Sequence, residues 1–287
     1  MINPGTLYIV ATPIGNLEDI SRRAVEVLQQ VDCIYAEDTR HSSRLFQHCG
    51  ITTRTVSVHE HNESERVAGV IGHLSSGGTA ALVSDAGTPL ISDPGYRLVS
   101  ACHAEGITVS PLPGPCALVA ALSVSGLPTD RFVYVGFLPA KEAAREQALK
   151  ALAHEASTLV FYESRHRIKP WMNSALTIFG ADRPVTVARE LTKTFETICH
   201  GTLASVNDWL LQDEQQQKGE FVIVVGGAVS DTATDEVQLV RVLELLLPEL
   251  SVKKAASIAA TMTGLGRNRA YEVALTLKNA KNPDNDT

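Results

Sequence analysis

The chain has 287 residues, 44% of them apolar, an ordinary composition for a globular protein long enough for two domains. Its formal net charge of −7 gives no whole-chain signature of nucleic-acid binding. The five cysteines include no C-x-x-C pair, which argues against a disulfide framework or zinc knuckle and fits a reducing cytoplasm. We expect no signal peptide and no membrane anchor, because no basic segment precedes an apolar core and the longest apolar stretch, 117–127, is too short to cross a bilayer.

The first 116 residues alternate between short apolar runs and amphipathic segments. In chain order, the pattern predicts a strand at 6–11, a helix at 19–30 with Asp19 near its cap, a strand at 33–36, a helix at 64–74, a strand at 80–83, a helix at 95–105 and a strand at 108–110. Such alternation favours a parallel sheet covered by helices. We therefore expect an α/β domain over 1–116.

From residue 117 the pattern changes. The sequence predicts helices at 116–123, 143–154, 168–179 and 203–211, and strands at 132–135, 158–162, 185–189, 195–198 and 221–225. The close succession of the strands within 185–198 indicates antiparallel pairing. We therefore expect a second α/β domain with a mixed sheet over 117–230.

The remaining residues, 231–287, are predicted to form a small helical domain after a polar linker. Helices are expected at 236–247, 252–262 and 267–278, and the Gly-containing turn between the last two is typical of a helix-turn-helix. Residues 251–281 carry six Lys or Arg against one acid. One interpretation is a solvated basic face; the other, which we favour, is contact with nucleic-acid phosphates.

Two loops rich in Gly and Pro, 82–95 and 111–117, follow predicted strands of the first sheet. Ligands of open parallel sheets bind outside the carboxyl ends of the strands. Glycines allow a close approach of the backbone, and prolines stiffen a loop before a ligand arrives. The pair predicts a preformed small-molecule site, although neither a Rossmann nor a nucleoside-triphosphate fingerprint is present.

Charged residues crowd the predicted loop 35–44, which contains Glu37, Asp38, Arg40, His41 and Arg44. This group is either a self-contained ion network or a substrate site, with Asp38 as proton acceptor and Arg40 as phosphate ligand.

Histidines occur two residues apart at 59 and 61, but no third ligand follows at a recognisable spacing, so we predict no metal site. In the second domain, Phe161 and Tyr162 form a flat apolar pair suited to an adenine ring.

Several motifs together resemble one family over the whole chain: T-P-I-G-N-L-E-D-I-S-R-R-A, A-E-D-T-R, S-D-A-G-T-P-L-I-S-D-P-G, P-G-P-C-A, S-G-L-P-T-D-R-F, F-Y-E-S-R-H-R and R-E-L-T-K. They are similar to the ribosomal RNA small subunit methyltransferase I family, of the tetrapyrrole-methylase-like class that uses S-adenosylmethionine. The resemblance implies 2′-O-methylation of a cytidine ribose in 16S ribosomal RNA at the decoding centre. It also implies a homodimer whose subunits bind the cofactor between two α/β domains.

The resemblance assigns site residues by motif position. Cofactor binding is expected at Pro13, Ser84, Asp85, Ala86, Gly87, Pro113, Gly114, Pro115, Cys116, Ala117, Phe161, Tyr162, Gly219 and Glu220. A base that takes the ribose proton is expected among Asp38, Glu190 and, if its pKa is lowered, Lys193. RNA contacts are expected from Arg22, Arg23, Arg40, Arg189 and the tail residues Lys253, Lys254, Arg267 and Arg269.

Two alternatives remain open at the level of sequence. A tetrapyrrole C-methyltransferase would share the class, but its substrate requires no basic helix-turn-helix. A nucleic-acid-binding regulator would use the tail on DNA and the α/β body as a sensor of a small molecule.

Overall fold

The structure, a computed structural model, describes residues 2–59, 63–228 and 232–281. The chain divides into two compact units, Met1–Gly227 and Ala228–Thr287. The larger unit contains two five-stranded sheets. The division at residues 116 and 230 into three domains stays a prediction.

The first sheet is entirely parallel, in the order β3-β2-β4-β1-β5. Its strands are β1 (Thr6–Val10), β2 (Cys33–Ala36), β3 (Thr55–Ser57), β4 (Thr79–Val83) and β5 (Thr108–Leu112). The helices of this region are α1 (Arg22–Gln30), α2 (Thr39–His48), α3 (Glu63–Ser75) and α4 (Tyr96–Ala104). All residues of β2 and β4 are buried, as their continuous apolar sequences require in a sheet covered on both faces.

Two local predictions about the helices are wrong. Residues 39–44, predicted as part of a loop, belong to helix α2 (Thr39–His48). The Asp38 side chain caps the first turn of this helix by accepting from the Arg40 N–H at 2.8 Å. Asp19 does not cap α1; it ends a single 3₁₀ turn, Leu17–Asp19, and the hydroxyl of Ser21 accepts from the Ala24 N–H at 3.1 Å instead.

The second sheet is mixed, as predicted, in the order β6-β7-β10-β8-β9. Its strands are β6 (Phe132–Phe137), β7 (Thr158–Ser164), β8 (Pro184–Arg189), β9 (Thr197–Thr202) and β10 (Glu220–Val225). The β6–β7 pair is parallel and the other three pairs are antiparallel. The accompanying helices are α5 (Ala117–Val124), α6 (Glu142–Ala151), α7 (Ile168–Phe179) and α8 (Leu203–Gln212).

The two faces of this sheet have separate cores. One face packs Leu159, Phe161 and Phe221 around the fully buried Trp171 of α7. The other face packs Val160 and other side chains of the sheet against α5. Because successive side chains of a strand point to opposite faces, neighbours in β7 belong to different cores.

The smaller unit consists, in its described part, of α9 (Thr232–Leu246), α10 (Val252–Thr263) and α11 (Arg267–Lys281). Small side chains let these helices approach closely: Ala255, Ala259, Ala270 and Ala274 are fully buried with Leu243. Gly264 ends α10 in the left-handed conformation, with φ of 75°. The predicted helices and Gly turn are therefore confirmed. Within the described ranges, no helix is long and apolar enough to span a bilayer.

Candidate active site

A cleft of about 420 Å³ opens between the carboxyl edge of the first sheet and loops of the second. It will be called the first cleft. The side of the first sheet provides Ile14, Glu37, Asp85, Ala86, Gly87, Thr88, Ile91, Ser92, Asp93, Cys116 and Ala117. The side of the second sheet provides Phe137, Tyr162, Glu163, Ser164, Ala188, Leu191, Lys193, Glu220, Phe221 and Val222.

The loop after β4 is held in a fixed shape. Main-chain hydrogen bonds of 2.9 and 3.0 Å join Thr12 to Gly87, whose φ of +84° suits glycine. Leu90 and Ser92 also have positive φ, of 74° and 67°, which is costly for residues with a Cβ. The Ser92 hydroxyl lies 2.5 Å from the Tyr134 hydroxyl and so ties this loop to the second sheet.

The loop after β5 packs on the same edge. A Cβ at Gly114 would lie 2.9 Å from the Ala11 Cβ, so glycine is needed for the close contact. The Pro115 carbonyl accepts from the Thr88 hydroxyl at 3.0 Å. Cys116 and Ala117 line the first cleft, whereas Pro113, Gly114 and Pro115 are not among its lining residues. Cofactor binding by these last three stays a prediction.

Three carboxyl groups, of Glu37, Asp85 and Asp93, line one side of the first cleft. Burial raises the pKa of Asp93 to about 6, and the charges of Glu37 and Asp85 add to the shift against a hydrogen bond from Ser84. Burial and the charge of Asp85 also raise the pKa of Glu37. Crowded carboxylates with raised pKa values are stabilised by a nearby cation, so the first cleft favours a positively charged ligand.

Aromatic rings form the opposite side. The Tyr162 ring meets Tyr134 and Phe137 edge-to-face, with centroids 5.2 and 5.7 Å apart, and its hydroxyl accepts from the Leu118 N–H at 2.9 Å. Phe161 points the other way and is fully buried, 5.2 Å from the Trp171 ring. The predicted adenine-binding pair is therefore corrected: Tyr162 lines the first cleft, and the Phe161 ring belongs to the core.

A second cleft, of about 550 Å³, adjoins the first. Five residues line both clefts and will be called the shared wall: Ile14, Asp85, Ala86, Lys193 and Glu220. The second cleft is further lined by Thr12, Pro13, Gly15, Leu17, Arg40, His41, Ser42, Arg44, Leu45 and Ser84. Pro13 and Ser84, predicted beside the cofactor, thus lie on the side of the second cleft.

Lys193 bridges two carboxylates in the shared wall. Its ammonium donates to Glu190 Oε1 and to Glu220 Oε2, both at 2.9 Å. Burial opposes the charged form, but these hydrogen bonds outweigh it and raise the pKa of Lys193. Lys193 was a candidate base only if its pKa were lowered, and the raised pKa does not meet that condition.

The other two candidate bases are already engaged and line neither cleft. Asp38 is paired with Arg40 at 3.2 Å, and that hydrogen bond lowers the pKa of the carboxyl. Burial works to raise the pKa of Glu190, but the Lys193 hydrogen bond and the Glu220 N–H outweigh it and lower the pKa. A Cβ at Gly219, whose φ is +105°, would collide with Glu190, so Gly219 makes room for this carboxylate.

The predicted RNA-binding arginines separate into two groups. Arg189 is 8% exposed and donates to the carbonyls of Lys218 at 2.6 Å and Phe195 at 2.9 Å. Its expected contact with RNA is corrected: it braces two loops. Arg22, Arg23 and Arg40 are exposed, and Arg40 lines the second cleft.

In the smaller unit, Lys253, Lys254 and Arg267 are exposed, and Arg269 donates to Glu236 at 2.6 Å. Their contact with RNA stays a prediction. No group of three or more metal-ligating side chains occurs among the described residues, and His61 lies outside them.

Sequence reasoning missed several lining residues of this site. Asp93 lies within the loop 82–95, which is rich in Gly and Pro, but only the fold shows that it faces Glu37 and Asp85. Ser42 was hidden by the interpretation of 35–44 as a loop, because helical spacing is what turns it inward with Leu45.

Comparisons with known proteins agree with this arrangement. Residues 6–207 match the family described as Tetrapyrrole (Corrin/Porphyrin) Methylases, and residues 233–278 match the RsmI C-terminal HTH domain. Ribosomal RNA small subunit methyltransferase I of Pseudomonas aeruginosa is 51% identical, covering 96% of this chain and 98% of the relative. The protein of the same name from Escherichia coli O157:H7 is 51% identical, covering 94% and 95%.

The chain belongs to the ribosomal RNA small subunit methyltransferase I family. Solved structures show how widely the fold of this family is shared. Uroporphyrin-III-C-methyltransferase from Thermus thermophilus has a TM-score of 0.54 at 20% identity, covering 77% of this chain and 94% of that one. Diphthine synthase has a TM-score of 0.58 at 14% identity, covering 77% and 90%. At these identities the likeness shows the fold alone. The alternative of a tetrapyrrole C-methyltransferase is therefore supported only by a distant relation in fold.

Proposed function

We propose that the protein transfers the methyl group of S-adenosylmethionine to the 2′-hydroxyl of a cytidine ribose in 16S ribosomal RNA, at the decoding centre of the small subunit. Family membership supports the reaction and the class of substrate. The observation that carries the proposal is the pair of adjoining clefts with opposite charge character. Glu37, Asp93 and Glu163 line only the first cleft, and Arg40 and Arg44 line only the second. Asp85, Glu220 and Lys193 line both.

The first cleft suits the cofactor in size and chemistry. A volume of about 420 Å³ is within the range of small-molecule sites. Tyr162 and Phe137 offer apolar surface to a nucleoside, and Glu37, Asp85 and Asp93 offer negative charge to the sulfonium and ammonium groups. Asp85, Ala86 and Gly87 border the same space.

The second cleft suits the RNA. Arg40 and Arg44 supply positive charge, and the shared wall separates this space from the first cleft. S-adenosylmethionine would supply an electrophilic methyl group on sulfonium. As the new C–O bond forms and the C–S bond breaks, the sulfur would leave as a neutral thioether and the 2′-hydroxyl proton would pass to solvent. Lys193, in the shared wall, holds the attacking oxygen through its ammonium and stabilises the negative charge that develops there.

The smaller unit extends the RNA contact through its exposed cations Lys253, Lys254 and Arg267. We further place the enzyme in the cytoplasm, as a homodimer, acting on RNA assembled in the small subunit.

Transfer of labelled methyl from S-adenosylmethionine to small ribosomal subunits that lack this modification tests the proposal. Label recovered in 2′-O-methylcytidine is the expected result. Cofactor binding without any label in RNA would overturn the assigned substrate. Small subunits that already carry the modification serve as the matched control and should accept no label.

A further inference from the structure

The second cleft contains a buried hydroxyl without a partner. Ser42 is 5% exposed, lines this cleft, and its Oγ makes no hydrogen bond within the described residues. Serine hydroxyls inside helices commonly bond to a carbonyl of the preceding turn. Its neighbour Ser43 does so, donating to the Arg40 carbonyl at 2.7 Å. A buried polar atom left unpaired costs free energy, which a ligand in the cleft would recover.

Two arginines flank this hydroxyl on helix α2. Arg40 and Arg44 are one helical turn apart, both are exposed, and both line the second cleft. Arg44 makes no ion pair or hydrogen bond in the part of the chain that the structure describes. Arg40 donates two of its side-chain N–H groups to Asp38, and its other N–H groups are available to a ligand.

The chemistry of this group is that of a phosphate site. A guanidinium group can donate two parallel hydrogen bonds to the oxygens of one phosphate. Hydroxyl groups are common additional donors to nucleic-acid phosphates. The first turn of α2 adds partial positive charge from its free N–H groups. Pro13, Leu17 and Leu45 give the same cleft an apolar side against which a sugar or base can lie.

We propose that Arg40, Ser42 and Arg44 form a subsite for an RNA phosphate adjacent to the target ribose. The proposal rests on the proposed function, since it takes the ribose to lie at the shared wall. Every internal ribose of RNA is flanked by two phosphates, so a ribose at that wall brings one of them into the second cleft. The subsite therefore positions the 2′-hydroxyl without taking part in the methyl transfer itself.

The variant Ser42→Ala separates this role from a structural one. Because the hydroxyl has no partner in the free protein, its removal should leave the thermal midpoint unchanged or slightly higher. The Kd for S-adenosylmethionine should be unchanged, and the KM for small ribosomal subunits should rise about 5- to 10-fold. Ser43→Ala, one residue away and outside the clefts, is the matched control and should leave KM unchanged.

Salt dependence tests the two arginines. Arg44→Ala should raise the KM for small subunits about tenfold and reduce the slope of log affinity against log salt by about one, the loss expected for one phosphate contact. Arg44→Lys should keep the slope while losing part of the affinity. Lys150→Ala removes the same charge from α6, outside both clefts, and should change neither quantity.

The outcomes distinguish the subsite from the function on which it rests. If the wild-type enzyme methylates small subunits while Ser42→Ala and Arg44→Ala behave like their controls, the subsite is wrong and the function stands. If the wild-type enzyme transfers no methyl to the RNA, the function fails and the subsite fails with it.

Discussion

The first and second clefts share five residues but differ in the charged and aromatic residues that line only one of them. The first combines aromatic surface with five carboxyl groups, and the pKa values of Glu37, Asp93 and Glu163 are raised. The second combines an exposed helix face bearing two arginines with an unpaired buried hydroxyl. The charges that line only one cleft do not suit the ligand of the other: a sulfonium is repelled by Arg40 and Arg44, and a phosphate by Glu37 and Asp93.

The difference in charge between the two clefts indicates what the shared wall does. A cationic cofactor and a polyanionic substrate are each drawn to their own cleft, and the reacting atoms must meet where the two adjoin. Lys193 stands there with its ammonium between the carboxylates of Glu190 and Glu220. Perturbing the wall should therefore cost more activity than perturbing either cleft alone.

The largest effect is expected from Gly15→Ala. A Cβ at Gly15 would overlap the Lys193 side chain and lie 2.9 Å from the Leu191 carbonyl oxygen, so the loops from the two sheets must separate. Misplacement of reacting groups by about 1 Å can cost roughly 100-fold in rate. We expect kcat for methyl transfer to fall by about that factor, measured with labelled cofactor and small subunits.

The matched control for Gly15→Ala is Gly69→Ala in helix α3, where a Cβ would meet nothing within 4 Å. That variant should be fully active and slightly more stable, because alanine favours a helix over glycine by about 1 kcal/mol. Full activity of Gly15→Ala would show that the two loops need not touch for the wall to work.

The next largest effect is expected at Lys193 itself. Lys193→Met removes the ammonium and leaves Glu190 and Glu220 without their shared cation, so kcat should fall roughly 100-fold while the Kd for the cofactor changes little. Lys193→Arg keeps the charge and cannot lose its proton. If charge is what matters, it should retain more activity than Lys193→Met; equal loss in both variants would point to proton transfer by the amine.

The loop after β4 and the ion pairs of Lys193 and Asp38 show which features of the site could be predicted from the sequence and which could not. Asp85 to Gly87 were located correctly at the edge of a parallel sheet, because strand periodicity and the Gly/Pro loop are local signals. The ion pairs of Lys193 with Glu220 and of Asp38 with Arg40 decide protonation, and they depend on tertiary distances or on an unrecognised helix cap. From the sequence, Lys193 therefore stayed a candidate base on the condition of a lowered pKa, which the fold does not meet.

A smaller effect, dependent on pH, is expected from Asp93. Its pKa in the folded protein is about 6, against 3.8 in the unfolded chain, so the folded state binds the proton more tightly and loses stability as pH rises between these values. Asp93→Asn removes this penalty and should stabilise the free enzyme at pH 7.5 by roughly 1–3 kcal/mol, with no gain below about pH 4. Thermal unfolding across pH measures it.

Asp93→Asn is expected to stabilise the free enzyme, but it should weaken the binding of the cofactor. Ionised Asp93 favours a cationic ligand, so wild-type affinity for S-adenosylmethionine should weaken as pH falls through about 6. Asp93→Asn should bind about tenfold more weakly at pH 7.5 and show a flatter profile, although Glu37 and Asp85 still face the site. Titration calorimetry would contradict the charge assignment if the variant bound the cofactor as tightly as the wild type.

The smallest functional effect is expected at Phe161, whose ring lies in the core and not in the first cleft. Phe161→Leu reduces packing against Trp171 and should lower the free energy of unfolding by about 1–2 kcal/mol, with the Kd for the cofactor unchanged. Tyr162→Phe, one residue on, keeps the ring but leaves the Leu118 N–H without its acceptor in the first turn of α5, beside Ala117 in the first cleft. That variant should alter cofactor affinity as well as stability. A cofactor Kd that moved more for Phe161→Leu than for Tyr162→Phe would show that the ring of Phe161 faces the ligand after all.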